Sequence, residues 1–371
     1  MTDQPVDANK PIQIDYLVLV LTTRCNLRCS YCYHGDPVER RDMESATLER
    51  AFALAASGTG PLHIQLTGGE PCFVPRLIDE AAERAQRLSR PVTMGVQTNG
   101  TFLNRTVVDL FRRHRLQVGV SLDGSPQTQE SLRGQAAETL RGLMLLEAER
   151  IPFRVTTVVS DRNADRLDRL AWLLAGFAQA RGMGLDLLVM KGNAGANASA
   201  PRPAESDQLV RGVEALLKAL AAINRQREIP LQLREWDLVR RMLAMPPQPN
   251  RSFCQAGLGT SLAVHPDGRL FPCGQTLGDE RFEVDIATGS GFPAFATTHL
   301  ATSKRNCAGC PLELRCPNDC PSRLLYNDPH THLLACDLYR TLARACLRAE
   351  RANGAAECSP LADERRDACR P

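Results

Sequence analysis

YLVLVLTTRCNLRCSYCYHG, residues 16–35, joins an unbroken apolar run to three cysteines within eight positions. The run is rich in Leu and Val and ends at Thr22, so it reads as a strand buried on both faces. The thiols of Cys25, Cys29 and Cys32 therefore sit at the carboxyl end of a core strand. Similar short apolar runs alternate with amphipathic stretches as far as residue 190. Strands are predicted at Tyr16–Leu21, His63–Thr67, Val92–Thr98, Gln117–Leu122, Phe153–Val159 and Leu185–Met190. Helices are predicted at Ser45–Ala56, Val74–Leu88, Asn104–Arg113, Ala136–Glu149 and Asp165–Arg181. Six such units predict an α/β fold, a (β/α)6 TIM-like barrel with parallel strands.

Each predicted strand runs into a polar or glycine-rich stretch: CNLRCSYC, TGGEP, QTNGT, SLDGS, SDRN and KGNAG. Strand ends of a parallel barrel share one rim, where chemistry collects. The stretch from Lys191 to Asp207 is small, polar and Pro-containing, which reads as a mobile loop before a helix capped near Ser206. Helices over Gln208–Ala222 and around Trp236–Met245 bridge to a cysteine-rich part. The expected organisation is an N-terminal extension (1–15), a barrel (16–235), a bridging helix with the cysteine-rich domain (236–346) and a loosely held tail (347–371).

Forty-five basic residues nearly balance 42 acidic ones. A net charge of +3 argues against nucleic acid as a partner. No apolar window approaches a membrane span and the N-terminus lacks a signal-peptide pattern, so a cytoplasmic location is expected. Fourteen cysteines in such a compartment point to metal or redox chemistry rather than disulfides. They fall in two groups, residues 25–32 and 254–336, with Cys72 between them and Cys346, Cys358 and Cys369 trailing without partners at metal spacing.

Zinc structural sites want four ligands. Three thiols at CxxxCxxC suit instead a [4Fe–4S] cluster with one iron free to chelate a small molecule. The motif, with aromatic Tyr31 before its last cysteine, resembles the signature of radical S-adenosylmethionine (radical SAM) enzymes. That resemblance implies a partial barrel, in which Gly68, Gly69 and Glu70 help hold the methionine amino group of SAM. It places Thr98, Asn99, Ser121 and Asp123 by the ribose and methionine portions, Arg133 at the carboxylate and Met190 against adenine. Taken singly, each has a plainer reading: turns for the glycines and Asn99, a solvated face for Arg133, a core position for Met190. Cys72 reads as a small buried thiol.

In the second group, SLAVHPDGRLFPC reads as a hairpin turning at Gly268 that returns Cys273 beside Cys254. The later CxxC spacing suits zinc as readily as iron–sulfur. The whole series, Cys254, Cys273, Cys307, Cys310, Cys316, Cys320 and Cys336, resembles the SPASM extension of radical SAM enzymes. Carried over by position, Cys307, Cys310, Cys316 and Cys336 hold one auxiliary [4Fe–4S] cluster, and Cys254, Cys273 and Cys320 hold the other. Three clusters are then expected in all. The second auxiliary set is short by one thiolate, because Thr260 stands where fully ligated relatives carry a cysteine.

The resemblance implies reductive cleavage of SAM to a 5′-deoxyadenosyl radical, hydrogen abstraction from a peptide or protein substrate, and an electron exit through the auxiliary clusters. It implies an electron donor such as flavodoxin or ferredoxin. The expected function is a peptide maturase forming a crosslink in a ribosomal peptide. The runner-up is an anaerobic sulfatase-maturing enzyme making formylglycine; that branch carries an Asp just after the hairpin cysteine, where this chain has Gly274. Asp279 and Glu280 are the nearby carboxylates that could accept a proton instead. Too few residues precede the first strand for a leader-binding domain, so any leader binding is expected to use the barrel and SPASM surface or a separate leader-binding protein. A non-catalytic iron–sulfur or zinc scaffold is the alternative of another class.

Overall fold

The computed structural model describes residues 13–36, 39–248, 252–286 and 307–352. The start of the expected N-terminal extension and the tail beyond residue 352, with Cys358 and Cys369, lie outside them. Strands β1 (Tyr16–Val20), β2 (Leu62–Thr67), β3 (Val92–Thr98), β4 (Gln117–Ser121), β5 (Phe153–Val159) and β6 (Ala180–Leu187) lie side by side and parallel. Between them run helices α1 (Ser45–Ala56), α2 (Pro75–Gln86), α3 (Arg105–Arg113), α4 (Pro126–Leu132), α5 (Ala136–Ala148) and α6 (Leu167–Ala175). This is the parallel sheet of a partial barrel. One face of each strand supplies the core: Leu17, Leu19, Leu62, Ile64, Leu66, Val118, Val120 and Val155 are buried with apolar residues of the helices.

The inward face is unlike that of a filled barrel, whose lumen is packed with branched apolar residues. Register places Tyr16, His63, Gln65, Gln97, Ser121, Arg154 and Asp186 on it. The rings of Tyr16 and His63 stack with centroids 5.2 Å apart. Two departures from the predicted elements follow from this lumen. Helix α6 ends at Ala175 rather than Arg181, and the sixth strand runs over Ala180–Leu187 rather than Leu185–Met190. Gly182 and Gly184 are poor strand formers by composition. Packing requires Gly182, since a Cβ there would lie 2.6 Å from the Gln232 carbonyl oxygen, while at Gly184 a Cβ would displace the Arg234 guanidinium, whose Cζ lies 2.8 Å away.

The hairpin forms as β8 (Ser261–Val264) and β9 (Leu270–Phe271), turning at Gly268 with φ +92°. Its place was not foreseen. β8 pairs in parallel with β1, and the sheet order is β7-β6-β5-β4-β3-β2-β1-β8-β9, with β7 at Gln232–Leu233. The cysteine-rich part thus shares a sheet with the barrel. Residues 191–207, expected to be a mobile loop, carry a short helix α7 (Asn193–Ala196) and lead into α8 (Ser206–Asn224). Helix α9 (Arg234–Ala244) spans the expected domain boundary, α10 covers Pro321–Tyr326, and α11 (Leu334–Ala352) packs on α8 and α9.

Gly212 marks the tightest crossing, where a Cβ on α8 would lie 1.6 Å from the Ala164 carbonyl oxygen. Backbone cannot yield as a side chain does, so Gly212→Ala should lower stability by about 1–3 kcal/mol. The urea midpoint should fall with an unchanged slope; an unshifted midpoint would contradict the close packing.

Candidate active site

The loop after β1 has no regular structure, so its backbone groups find partners elsewhere on the rim. Gly69 N donates to Thr22 O and Glu70 N to Arg24 O, each at 2.8 Å. A Cβ on Gly69 would lie 2.2 Å from Arg24 O, so only glycine permits the approach. Thr22 Oγ1 and Arg24 Nε donate to Asp42 at 2.6 and 2.8 Å. On the far side, Ser30 N donates to Leu132 O at 2.9 Å. Asn193 donates twice, from N to Cys32 O at 2.9 Å and from Nδ2 to Cys29 O at 3.0 Å. Gly192, at φ +60°, brings α7 against the thiol loop; a Cβ there would meet Cys32 O at 2.3 Å. Gly192 and Asn193 were the missed residues: the KGNAG stretch was visible at the rim, yet its small polar composition read as mobility.

Cys25 is exposed, and Cys29 and Cys32 are half-buried. Burial pushes the Cys29 thiol up to about 12, with Arg133 opposing and Cys32 reinforcing. Cys25 and Cys32 are raised as well, chiefly by burial.

Glu70 is fully buried. Its carboxylate accepts from Cys72 N at 3.0 Å, Thr98 Oγ1 at 2.7 Å and Asn99 N at 2.7 Å. Burial raises its pKa against these hydrogen bonds. Glu70 therefore ties the end of β2 to the end of β3. Asn99 is held with it: Nδ2 donates to Asn26 Oδ1 at 3.1 Å and lies 3.9 Å from Cys25 Sγ. Asn26 in turn donates to Thr101 Oγ1 and Gln135 Oε1 at 2.9 and 2.8 Å.

Asp123 is also buried and turned inward. It binds Arg133 Nε at 2.8 Å, accepts from Val158 N at 2.9 Å and takes a short hydrogen bond from the Tyr31 hydroxyl. The Arg133 guanidinium lies over the Tyr31 ring, Cζ 5.3 Å from its centroid. Burial works against the charge of Arg133, but Asp123, Tyr31 and Cys29 together outweigh it and the pKa is raised. Ser121 accepts from Gln97 Nε2 at 2.9 Å. Met190 joins Tyr31, Leu132, Leu188 and Ala194 in a small apolar cluster, and its N–H donates to Asn327 Oδ1 at 2.8 Å. The structure thus brings Cys29, Tyr31, Asp123, Arg133 and Met190 into one corner of the rim.

Cys254 and Cys273 pack beside Ala256, Phe282 and Leu325. Burial pushes Cys254 up to about 12 and Cys273 up to about 11, with Cys320 the next contributor to each. These three thiols form one neighbourhood. Thr260 Oγ1 is committed to Gln255 Oε1 at 2.6 Å, while Gln275 Oε1 lies 3.6 Å from Cys320 Sγ. Arg340 on α11 is raised mainly by a hydrogen bond to Cys310, with Cys336 adding to it. Among the described residues, no three His, Cys, Asp or Glu side chains converge on a single ion; a four-iron cube is wider and takes its thiolates at separate corners. Three soft thiols on the β1 loop fit such a cluster with one iron open to an external ligand.

Of the carboxylates after the hairpin, Asp279 is saturated. Arg281 Nη2 and the Tyr326 hydroxyl reach it at 2.6 and 2.7 Å, and the Arg281 hydrogen bonds hold it down at about 2. Glu280 is exposed. Gly274 faces the lumen, where a Cβ would lie 3.8 Å from Val18 and 3.9 Å from the Tyr33 hydroxyl.

A parallel half-barrel bearing three thiols on its first rim loop, beside a cysteine-rich extension, is the arrangement of a radical SAM domain. Residues 19–173 match the Radical SAM superfamily, and the chain carries that domain, with a cysteine-rich C-terminus that fits SPASM. That family binds SAM and a [4Fe–4S] cluster. A serine-type anaerobic sulfatase-maturating enzyme of Klebsiella aerogenes is 25% identical over 356 residues, covering 86% of this chain and 82% of the relative. The structure of native anSMEcpe with bound AdoMet superposes with a TM-score of 0.71 at 17% identity, covering 91% of this chain and 99% of the other. Streptococcus suis SuiB bound to precursor peptide SuiA gives 0.64 at 14% identity, over 86% and 74%. No helix among the described residues is long and apolar enough to cross a membrane.

Asp123→Ala would strand the Arg133 guanidinium, whose side chain is 11% exposed. A loss of about 3–5 kcal/mol is expected, checked by denaturant unfolding. Thiols raised to about 12 at Cys29 and Cys254 must shed protons on binding metal, so loading should tighten as pH rises toward that value and release protons. Cadmium titration in weak buffer checks this; uptake without acidification would contradict it.

Proposed function

We propose that this chain is a radical SAM/SPASM maturase that oxidises a residue of a ribosomal peptide by two electrons and closes a crosslink. The observation that carries the choice over formylglycine formation is Gly274: the position after the hairpin cysteine looks into the lumen and offers no carboxylate. The sulfatase-type reading keeps its own support in the Klebsiella aerogenes relative.

When bound, SAM on the Cys25/Cys29/Cys32 cluster supplies a carbon-centred radical able to take hydrogen from an unactivated carbon. The chain's own residues position and shield. Arg133, pinned by Asp123 and lying on Tyr31 beside Cys29, presents a fixed cation to a carboxylate. Asn99 is held by Glu70 toward the same loop, and Met190 with Tyr31 offers an apolar face for a base. Glu70 acts through Asn99 and Thr98 as a positioning residue. Cys254, Cys273 and Cys320 suit a cluster next to the lumen that receives the second electron, and Cys307, Cys310, Cys316 and Cys336 suit another further out. An external reductant and a separate leader-binding protein complete this reading.

Co-expression with small peptides encoded beside the gene tests it. The expected result is loss of two hydrogens from one peptide without a new aldehyde. A product that reacts with a hydrazide supports formylglycine instead, and an unchanged mass defeats crosslinking. Replacing Cys25, Cys29 and Cys32 together with Ala should abolish 5′-deoxyadenosine formation while the auxiliary iron–sulfur absorption remains.

A further inference from the structure

Loss of two electrons at a peptide residue also requires loss of a proton, and position 274, where the sulfatase-maturing resemblance implies an acceptor Asp, is glycine. Asp279 is tied at both oxygens by Arg281 and Tyr326, which makes it a weak base. Among the strand residues that register places on the lumen side of β1–β6, one is acidic. That residue is Asp186.

Strand β6 sets Asp186 level with Val158 of β5, one layer toward the rim from the Thr156–Gly184 pair. Its strand neighbours Leu185 and Leu187 are buried, yet its own side chain keeps 46% exposure. Arg234 Nη2 holds Oδ1 at 2.6 Å, and Oδ2 has no side-chain partner among the described residues. Gly184 leaves the room in which Arg234 lies. Two phenols face the same space. Tyr16 is pushed up to about 12 by burial, then by Cys273, Cys254 and Asp186. Tyr33 is raised by burial, then by Cys32, Cys273 and Asp186. The carboxylate therefore shares the lumen with the first thiol loop on one side and the Cys273 loop on the other. Arg234 also binds the buried Glu235 at 2.6 Å, so Asp186 is the exposed end of a three-residue charge cluster, with Oδ2 outside its ion pairs.

We propose that Asp186 is the proton acceptor of the oxidation, a role that rests on the maturase reading above. The balance closes as follows. The substrate carbon gives a hydrogen atom to the SAM-derived radical, which leaves as 5′-deoxyadenosine. The new bond forms between that carbon and a second substrate atom X as the X–H bond breaks. Its proton passes to Asp186 Oδ2 and one electron passes to an iron–sulfur cluster as oxidant; the carboxylic acid then returns the proton to water.

The test uses the reconstituted full chain and the peptide that wild-type protein modifies on co-expression. Asp186→Asn should keep wild-type iron content and peptide affinity, while the ratio of 5′-deoxyadenosine to crosslinked peptide rises roughly 10²-fold or more. Asp186→Glu keeps the charge beside Arg234 and guards against a folding defect; it should form crosslink more slowly than wild type at a raised ratio. A wild-type ratio in Asp186→Asn overturns the assignment, as does loss of peptide binding in Asp186→Asn or a ratio in Asp186→Glu as high as that of Asp186→Asn. Wild-type protein that forms no 5′-deoxyadenosine would instead overturn the maturase reading, which separates the two failures.

Discussion

The first thiol loop depends on hydrogen bonds it cannot make to itself. Residues 22–32 leave a strand and form no helix, so their carbonyls and amides find partners on other segments, Arg41 among them. Gly69 and Glu70 hold one flank, Leu132 a second, Asn193 a third, and Asn99 reaches Asn26 within the loop. Glu70 and Asp123, both buried, are the anchors behind these contacts. Each turns its carboxylate into the protein and fixes neighbours that face outward. The loop's shape is therefore a property of the whole rim.

Much of this was legible in the residues themselves. The alternation of apolar runs located β1 to β5 within a residue or two, because outward-facing Leu, Val and Ile mark the core face whatever lines the lumen. The sixth strand was misplaced because Gly182 and Gly184 suppress the strand signal, and what lies against them, the Gln232 carbonyl and the Arg234 guanidinium, is a tertiary fact. The rim motifs were visible as motifs, but their directions were not. A sequence shows Glu70 and Asp123 at strand ends; only the fold shows that each carboxylate is hydrogen-bonded by neighbouring rim segments, and that Met190 and Tyr31, far apart in the chain, share one cluster. Asn193 was unreadable for a similar reason, since its partners are backbone carbonyls and leave no side-chain pattern to match.

The lumen separates this half-barrel from one filled by packing. Gln65, Gln97, Arg154, Arg234 and Asp186 line a space that a closed barrel gives to branched aliphatics. An open polar interior costs core area, and the sheet recovers it by extension: β8 covers the free edge of β1, and α11 lies over α8 and α9. The part that suits auxiliary iron–sulfur sites is thus also a wall of the chamber.

That wall sets an order on biosynthesis. Until Ser261–Val264 leave the ribosome, β1 is an unpaired edge on a nascent chain, and edges of this kind invite mispairing. The backbone at Leu188 and Met190, next to the segment that clamps Cys29 and Cys32, waits still longer, for Asn327. The rim beside the amino-terminal cysteines therefore reaches its final set of contacts only after the chain has been made as far as Asn327.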